Sequence, residues 1–202
     1  MKVKNWMKKN LVTVEPTTNI AQILSLMQRH LIRHIPVVDK KNLVGLITDA
    51  EIRNNLYEKR DFDVQAKDIM ILNPVTINPS ASIDRASQLI YQYGIGSLLV
   101  LERRKLVGII TRNDLLAAFM ERFGVLRPGF RLDVMLESRA NALEEVIAIV
   151  RKHGGRIVSF GIEIQSSRRK IYQIRLDKGS WQEIVSAIEK AGHKVISILE
   201  EE

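Results

Sequence analysis

Ile20, Ile23, Leu24, Met27 and Leu31 recur at the spacing of an α-helix, so they would share one apolar face. Asn19 stands just ahead of that run, where a helix needs an N-cap. Downstream, residues 35 to 38 and 43 to 47 form two apolar runs joined by Asp39-Lys40-Lys41-Asn42, which predicts a tight hairpin. A second helix with Ile52 and Leu56 on its apolar side follows, and residues 11 to 14 predict a short strand before Pro16. The same order then returns. A strand at 74 to 77 precedes Pro79, and a helix behind Ser82 carries Ile83, Ala86 and Ile90. Strands at 98 to 101 and 106 to 110 are joined by Glu102-Arg103-Arg104-Lys105, and the last helix carries Leu115 and Phe119.

Residues 7 to 56 and 70 to 119 therefore align without a gap at an offset of 63. Met7 answers Met70, Asn10 answers Asn73, and Leu43-Val44-Gly45 answers Leu106-Val107-Gly108. Two like units can pack about a pseudo-twofold axis, and the clefts between them are natural ligand sites. The pattern reads as a sensor before it reads as a catalyst. Beyond Phe123, Gly124-Val125-Leu126-Arg127-Pro128-Gly129 breaks the helix and reads as a linker. Strands at 131 to 136, 156 to 164, 171 to 176 and 194 to 199, helices at 141 to 152 and 180 to 190, and a turn at 166 to 169 then spell βαββαβ, the ferredoxin-like split motif. The predicted fold class is mixed α/β (α+β), divided into 1–60, 61–123, a linker at 124–129, and 130–202.

Charge sharpens this picture in one place. The net charge is +8, and residues 1 to 60 carry 11 lysines and arginines against 5 acidic residues. A basic first repeat suits phosphorylated small molecules, nucleic acid or an acidic partner, as well as plain solvation. Aromatic residues at 5% leave few platforms for base stacking. Zero cysteines exclude disulfides, thiolate nucleophiles and cysteine-bound zinc. No apolar run reaches the length of a membrane span and the first residues lack a signal-peptide stretch, so the expected location is the cytoplasm.

The most specific local pattern is Gly45-Leu46-Ile47-Thr48-Asp49-Ala50-Glu51 with its twin Gly108-Ile109-Ile110-Thr111-Arg112-Asn113-Asp114. In each, glycine permits close backbone approach, a threonine hydroxyl marks the strand-to-helix junction, and a carboxylate lies three residues on. A carboxylate can accept both hydrogen bonds of a ribose diol, while the hydroxyl and nearby amides can hold ribose or phosphate. The alternative is local: Thr48 and Thr111 as N-caps, with Glu51 and Asp114 completing capping boxes. Repetition at equivalent points favours the ligand reading.

These two units resemble a tandem pair of CBS domains, on Met7 and Met70, on Arg33-His34-Ile35-Pro36-Val37-Val38-Asp39, and on the paired Gly-x-x-Thr ends. The resemblance implies a non-catalytic regulatory pair that binds AMP, ADP, ATP or S-adenosylmethionine in its clefts, with no required cofactor and no metal. It places ribose on Asp114, ribose or phosphate on Thr111, and adenine along the backbone of Ile95, Gly96 and Ser97. The first unit departs from the pattern, since Glu51 is one methylene longer than the usual aspartate beside Thr48. Arg33 and His34 stand at the equivalents of Gly96 and Ser97, where they and Arg112 could reach a phosphate. One good site centred on Asp114 and a weak or empty one at Glu51 are expected.

Residues 130 to 200 resemble an ACT domain, a βαββαβ module that binds amino acids or dimerises. Where that family often has Pro-Gly, this chain has Ala140-Asn141, and asparagine tolerates positive φ well enough for the loop to form. The order of two CBS domains and an ACT-like domain is similar to that of the AcuB family of acetoin-utilisation proteins. It implies a regulatory role near acetoin or related carbon metabolism, a homodimer, and a partner protein still to be identified.

Two other classes are weaker. Nucleic-acid binding through Lys2, Lys4, Lys8, Lys9, Arg29, Arg33, Lys40 and Lys41, or a purely structural dimerisation role for the pair, lacks any helix-turn-helix, zinc-finger or RNP signature. Catalysis lacks HExxH, a P-loop and a Gly-x-Ser-x-Gly elbow, and Asp49 with Glu51 at i and i+2 do not face each other on a helix.

Overall fold

The structure, a computed structural model, describes residues 1 to 59, 63 to 166 and 169 to 201. The expected repeat boundary at 60/61 and the centre of the turn at 166 to 169 lie outside the described residues. The chain divides into two compact units, Met1–Ala118 and Phe119–Glu202.

In the first unit, α1 (Ile20–His30) leads into β1 (His34–Asp39), β2 (Asn42–Thr48) and α2 (Asp49–Lys59). After α3 (Ala66–Ile69), β3 (Ile71–Leu72) and β4 (Thr76–Ile77), the order repeats as α4 (Ile83–Tyr93), β5 (Ser97–Glu102), β6 (Lys105–Thr111) and α5 (Arg112–Phe123). The caps are those read from the sequence. Asn19 accepts the Gln22 N–H at 2.9 Å and Ser82 accepts the Arg85 N–H at 3.0 Å. Both hairpins turn on two residues of positive φ, Lys40 and Lys41 at 46° and 73°, Arg103 and Arg104 at 48° and 67°. That is type I′ geometry, whose twist matches the flanking strands.

Two expectations are corrected. Leu31 is not on the apolar face of α1. It is the helix C-cap at φ 52°, in the left-handed conformation that Gly94 takes in the second repeat, and it is 93% exposed. The strand expected at 11 to 14 shrinks to a single bridge between Val14 and Val37. Val14 N–H donates to Pro36 O and Val38 N–H to Val14 O, but the next rung would need an N–H from Pro36, and proline has none. Its counterpart Leu99 does donate, to Val75 O at 3.3 Å, and a short parallel strand β4 forms there on Leu99 and Val100.

The entry segments of the two repeats are exchanged. Residues 64 to 72 pack on the first repeat: Ala66 N–H donates to Thr18 O at 2.8 Å, Ala66 is fully buried in the first core, and β3 pairs with β2. Residues 1 to 8 pack on the second: Val3 N–H donates to Ala81 O at 2.9 Å, and Lys8 exchanges both backbone hydrogen bonds with Ile109 at 2.9 and 3.0 Å. The pairs Leu46 with Ile71 and Ile109 with Lys8 are equivalent under the 63-residue offset. Each crossing closes on a glycine. A Cβ on Gly108 would lie 2.7 Å from Met7 Sδ and 2.9 Å from Lys8 O, and one on Gly45 would lie 2.5 Å from Met70 Sδ. Between the repeats, Leu46, Leu99 and Ile109 form a buried apolar seam.

In the second unit, β7 (Gly129–Met135), α6 (Ala142–Lys152), β8 (Ile157–Ser166), β9 (Arg169–Leu176), α7 (Trp181–Lys190) and β10 (Lys194–Glu201) form one antiparallel sheet in the order β10-β7-β9-β8. That is the ferredoxin-like arrangement. Phe130, Leu132 and Val134 of β7 pack with Ile174 and Leu176 against Val146, Val150, Ile184 and Ile188 of the two helices. Asn141 takes φ 63° ahead of α6, the conformation its side chain tolerates.

Gly108→Ala is expected to lower the stability of the first unit by about 1–3 kcal/mol, a typical cost of overpacking. Adding Met7→Ala should restore only part of it, because the Lys8 carbonyl still stands 2.9 Å from the new methyl. Denaturant melts of the single and double variants check this, and full restoration would place the constraint on the thioether alone.

Candidate functional site

Each strand-to-helix junction is built by reciprocal capping. Thr111 donates its backbone N–H to Asp114 Oδ2 at 2.8 Å and its hydroxyl to the same oxygen at 2.6 Å, while Asp114 N–H returns to Thr111 Oγ1 at 3.3 Å. In the first repeat Thr48 N–H donates to Glu51 Oε2 at 3.1 Å, the Thr48 hydroxyl bonds the same oxygen, and Ala50 N–H donates to Thr48 Oγ1. The capping arrangement is thus realised in both repeats. It occupies one carboxylate oxygen at each and leaves Asp114 Oδ1 and Glu51 Oε1 as acceptors.

A cleft of about 440 Å³ opens at the second junction, within the first unit. Its walls come from both repeats: Arg33, His34 and Asp49 from the first, Gly96, Thr111, Arg112 and Asn113 from the second, with Lys8 from the exchanged segment. The first helical N–H on each side is tied back across its strand end, Asp49 to Arg33 O and Arg112 to Gly96 O, both at 3.1 Å. Of the residues read as ligand contacts, the structure brings Arg33, His34, Gly96, Thr111 and Arg112 together here. Asp114 stands behind Thr111 as its hydrogen-bond partner. Thr48, Glu51, Ile95 and Ser97 are not part of this wall. Ser97 Oγ is buried and has no hydrogen-bond partner among the described residues.

Arg112 and the two junction glycines are each occupied by the protein itself. Arg112 is committed to the backbone, donating Nε–H to Ile95 O and Nη2–H to Gly94 O, both at 2.9 Å. It braces the α4–β5 turn and adds charge to the cleft. The close approach read at glycines 45 and 108 is present, and it is made by a methionine sulfur at each. Sequence reasoning misses Lys8, Asn113 and Asp49 as wall residues. Lys8 carries a readable signal only in contrast, for its counterpart at the offset is Ile71.

His34 enters the cleft because residue 96 has no side chain: a Cβ on Gly96 would lie 2.6 Å from His34 Nε2. Burial lowers the imidazole pKa from its ordinary 6.5; Asp49 and Glu51 oppose the shift, and Arg112 and Arg33 reinforce it.

The second unit holds a broader cavity of about 1060 Å³ along the β7–α6 loop, lined by Arg139, Asn141, Lys170, Tyr172 and Lys194 among others. Buried His193 lies between the lining residues Gly192 and Lys194. Nδ1 accepts the Glu137 N–H at 3.1 Å, which puts the ring proton on Nε2, facing Glu145 Oε2 at 3.2 Å. Arg139 also pairs with Glu145 and donates to Ala191 O. Among the described residues no cluster of His, Asp and Glu is arranged to hold a metal, and no described helix is long and apolar enough to cross a membrane.

Fold and junctions together define a tandem module with a cleft at the meeting of its two repeats. The chain belongs to the CBS-domain family, whose model matches residues 3–58 and 66–121. It is 35% identical over 114 residues to the CBS domain-containing protein YhcV of Bacillus subtilis, covering 56% of this chain and 81% of that one. It is 26% identical over 156 residues to an inosine-5′-monophosphate dehydrogenase of Korarchaeum cryptofilum, covering 74% of this chain but only 32% of the enzyme. Among solved structures, the CBS pair of protein MJ0100 in complex with 5′-methylthioadenosine and S-adenosyl-L-methionine matches with a TM-score of 0.57 and 27% identity, over 60% of this chain and 97% of that one. CBSX2 in complex with AMP matches with a TM-score of 0.53 and 25% identity, over 59% and 96%. The fold is also shared with the acetoin-utilization protein AcuB of Vibrio cholerae, with a TM-score of 0.56, 24% identity, and 62% and 95% covered.

Because the folded chain holds His34 below 6.5, the unfolded chain binds its proton more readily as the pH falls. The His34 contribution is therefore intact above about pH 6.5 and is lost as pH drops through the unfolded value toward the folded one. Melting temperatures at pH 7.5 and 5.5 are expected to fall less for His34→Gln than for the natural protein. Equal falls would remove His34 from the acid response.

Proposed function

We propose that the protein is a non-catalytic regulator that senses an adenosyl ligand, AMP, ADP, ATP or S-adenosylmethionine, in the cleft at Thr111. The observation that carries this is the joint wall of that cleft, in which Arg33 and His34 of one repeat face Thr111, Arg112 and Asn113 of the other. A volume of about 440 Å³ suits a small molecule. In this reading Asp114 Oδ1 accepts from a ribose diol while Oδ2 stays with Thr111, to which it is hydrogen-bonded. The adenosyl complexes of MJ0100 and CBSX2 support the ligand class.

Sensing requires that the ligand bind two arrangements of the repeats unequally. In this reading the response leaves through α5, which starts at the Thr111–Asp114 cap and whose last turn belongs to the second unit. The chain is organised as CBS repeats at 1–60 and 61–123, a linker at 124–129 and an ACT-like domain at 130–202, acting in the cytoplasm as a homodimer. The order of these domains supports a place near acetoin or related carbon metabolism, with a partner protein downstream. Lys8 and Arg33 turn to the cleft, which takes two cations from the nucleic-acid alternative. The site at Glu51 is the weaker of the two.

A thermal-shift panel of AMP, ADP, ATP and S-adenosylmethionine tests the reading. A ligand at about 100 times its Kd stabilises the fold by about 2.7 kcal/mol. Asp114→Ala is expected to abolish the ligand-induced shift and Glu51→Ala to keep it, each measured against its own unliganded melt. No shift with any of the four would sink the proposal.

A further inference from the structure

The cleft carries a second layer of selectivity. Lys8 does not belong to the strand-to-helix junction. The exchanged entry segment delivers it, clamped by its two backbone hydrogen bonds to Ile109. Directly paired residues point to the same side of a sheet, as do residues two apart on one strand. The Lys8 side chain therefore stands on the same face as Ile109 and Thr111, and it reaches the cleft wall.

Its charge adds to Arg33 and Arg112, against the single carboxylate of Asp49 in the wall. Arg112 is held by the carbonyls of Gly94 and Ile95, and Asp49 is ion-paired to Arg53. Among the described residues, Lys8 and Arg33 form no ion pair, so they are the cations left to meet a ligand. At the 63-residue offset, Lys8 corresponds to Ile71, Arg33 to Gly96 and Asn113 to Ala50. The positions equivalent to Lys8 and Arg33 thus carry no cation, and the cationic pair belongs to the Thr111 cleft.

We propose that Lys8, with Arg33, makes the Thr111 cleft select phosphorylated adenosines over sulfonium or uncharged ones. The inference rests on the reading of that cleft as an adenosyl site. Each added phosphate gains from both cations, whereas the sulfonium of S-adenosylmethionine is repelled by them and adenosine is indifferent. The order of affinity is ATP above ADP above AMP, with S-adenosylmethionine last.

Titration calorimetry with ATP, ADP, AMP, adenosine and S-adenosylmethionine, on the natural protein, Lys8→Ile and Lys8→Arg, tests it. Lys8 is exposed, so unchanged unliganded melts verify that the variants fold. Lys8→Ile is expected to weaken ATP about fivefold, the scale of one partly screened ion pair, and to leave adenosine unchanged. It should also flatten the salt dependence of ATP binding, and Lys8→Arg should keep both. An unchanged ratio of ATP to adenosine affinity in Lys8→Ile, or S-adenosylmethionine binding the natural protein more tightly than ATP, overturns the selectivity while leaving the adenosyl site intact. If none of the five binds the natural protein, the adenosyl reading itself fails and this inference with it.

Discussion

The first unit depends on a crossing: each repeat is closed by the entry segment of the other. Met7 lies on Gly108 and Met70 on Gly45, each at a distance that leaves no room for a Cβ. Each glycine sits beside a register shift in its hairpin, between Val37 and Val38 in the first repeat and between Val100 and Leu101 in the second. A bulge bends a strand and raises its twist, which opens the notch that the thioether fills. Because both crossings are needed to complete both cores, the repeats cannot be separated without exposing Val3 in one and Ala66 in the other, both fully buried. The relative placement of Thr111 and Arg33, and so the cleft itself, follows from that lock.

On a frame this symmetric, the differences are where chemistry can reside. Repeated positions that serve packing are matched in kind: Ile47 with Ile110, Ile20 with Ile83, Val37 with Val100, all buried. Thr111 of the cleft wall answers Thr48, but the wall's charged positions are not matched. Arg33 answers Gly96, His34 answers Ser97 and Lys8 answers Ile71. The pairing is also complementary across the axis, since the missing side chain at Gly96 is what admits His34. The two repeats share the packing positions and differ in the charge they bring to the cleft.

Much of this is legible in the chain. The offset of 63, the caps at Asn19 and Ser82 and the two charged hairpin turns follow from periodicity and turn chemistry, which act within a few residues. The βαββαβ order of the second unit is legible for the same reason. The exchange is not. Its elements are two to four residues long and show no period, and their partners lie far along the chain, so no local signal announces them. Leu31 escapes the pattern because its spacing fits α1, while the left-handed cap there is set by how the chain must turn into β1. Lys8 reads as surface charge, since only the crossing brings it beside Thr111.

In the proposed sensing role, helix α5 is the element that runs on from the cleft. Its first turn is held by Thr111 and Asp114, and Arg112 ties that turn to the carbonyls of Gly94 and Ile95. Its last turn falls in the second unit, where Ser159 donates to Phe123 O at 2.8 Å. Twelve residues of helix span roughly 18 Å at 1.5 Å per residue and transmit a tilt with little internal give. In the proposed sensing role a ligand at the cleft would act on the capped end of this helix, which the hydrogen bonds of Thr111, Asp114 and Arg112 hold in place. The exchanged segments fix the rest of the cleft wall through the Lys8–Ile109 and Ala66–Thr18 hydrogen bonds, so in that role the cap is the part of the site that continues into a long element.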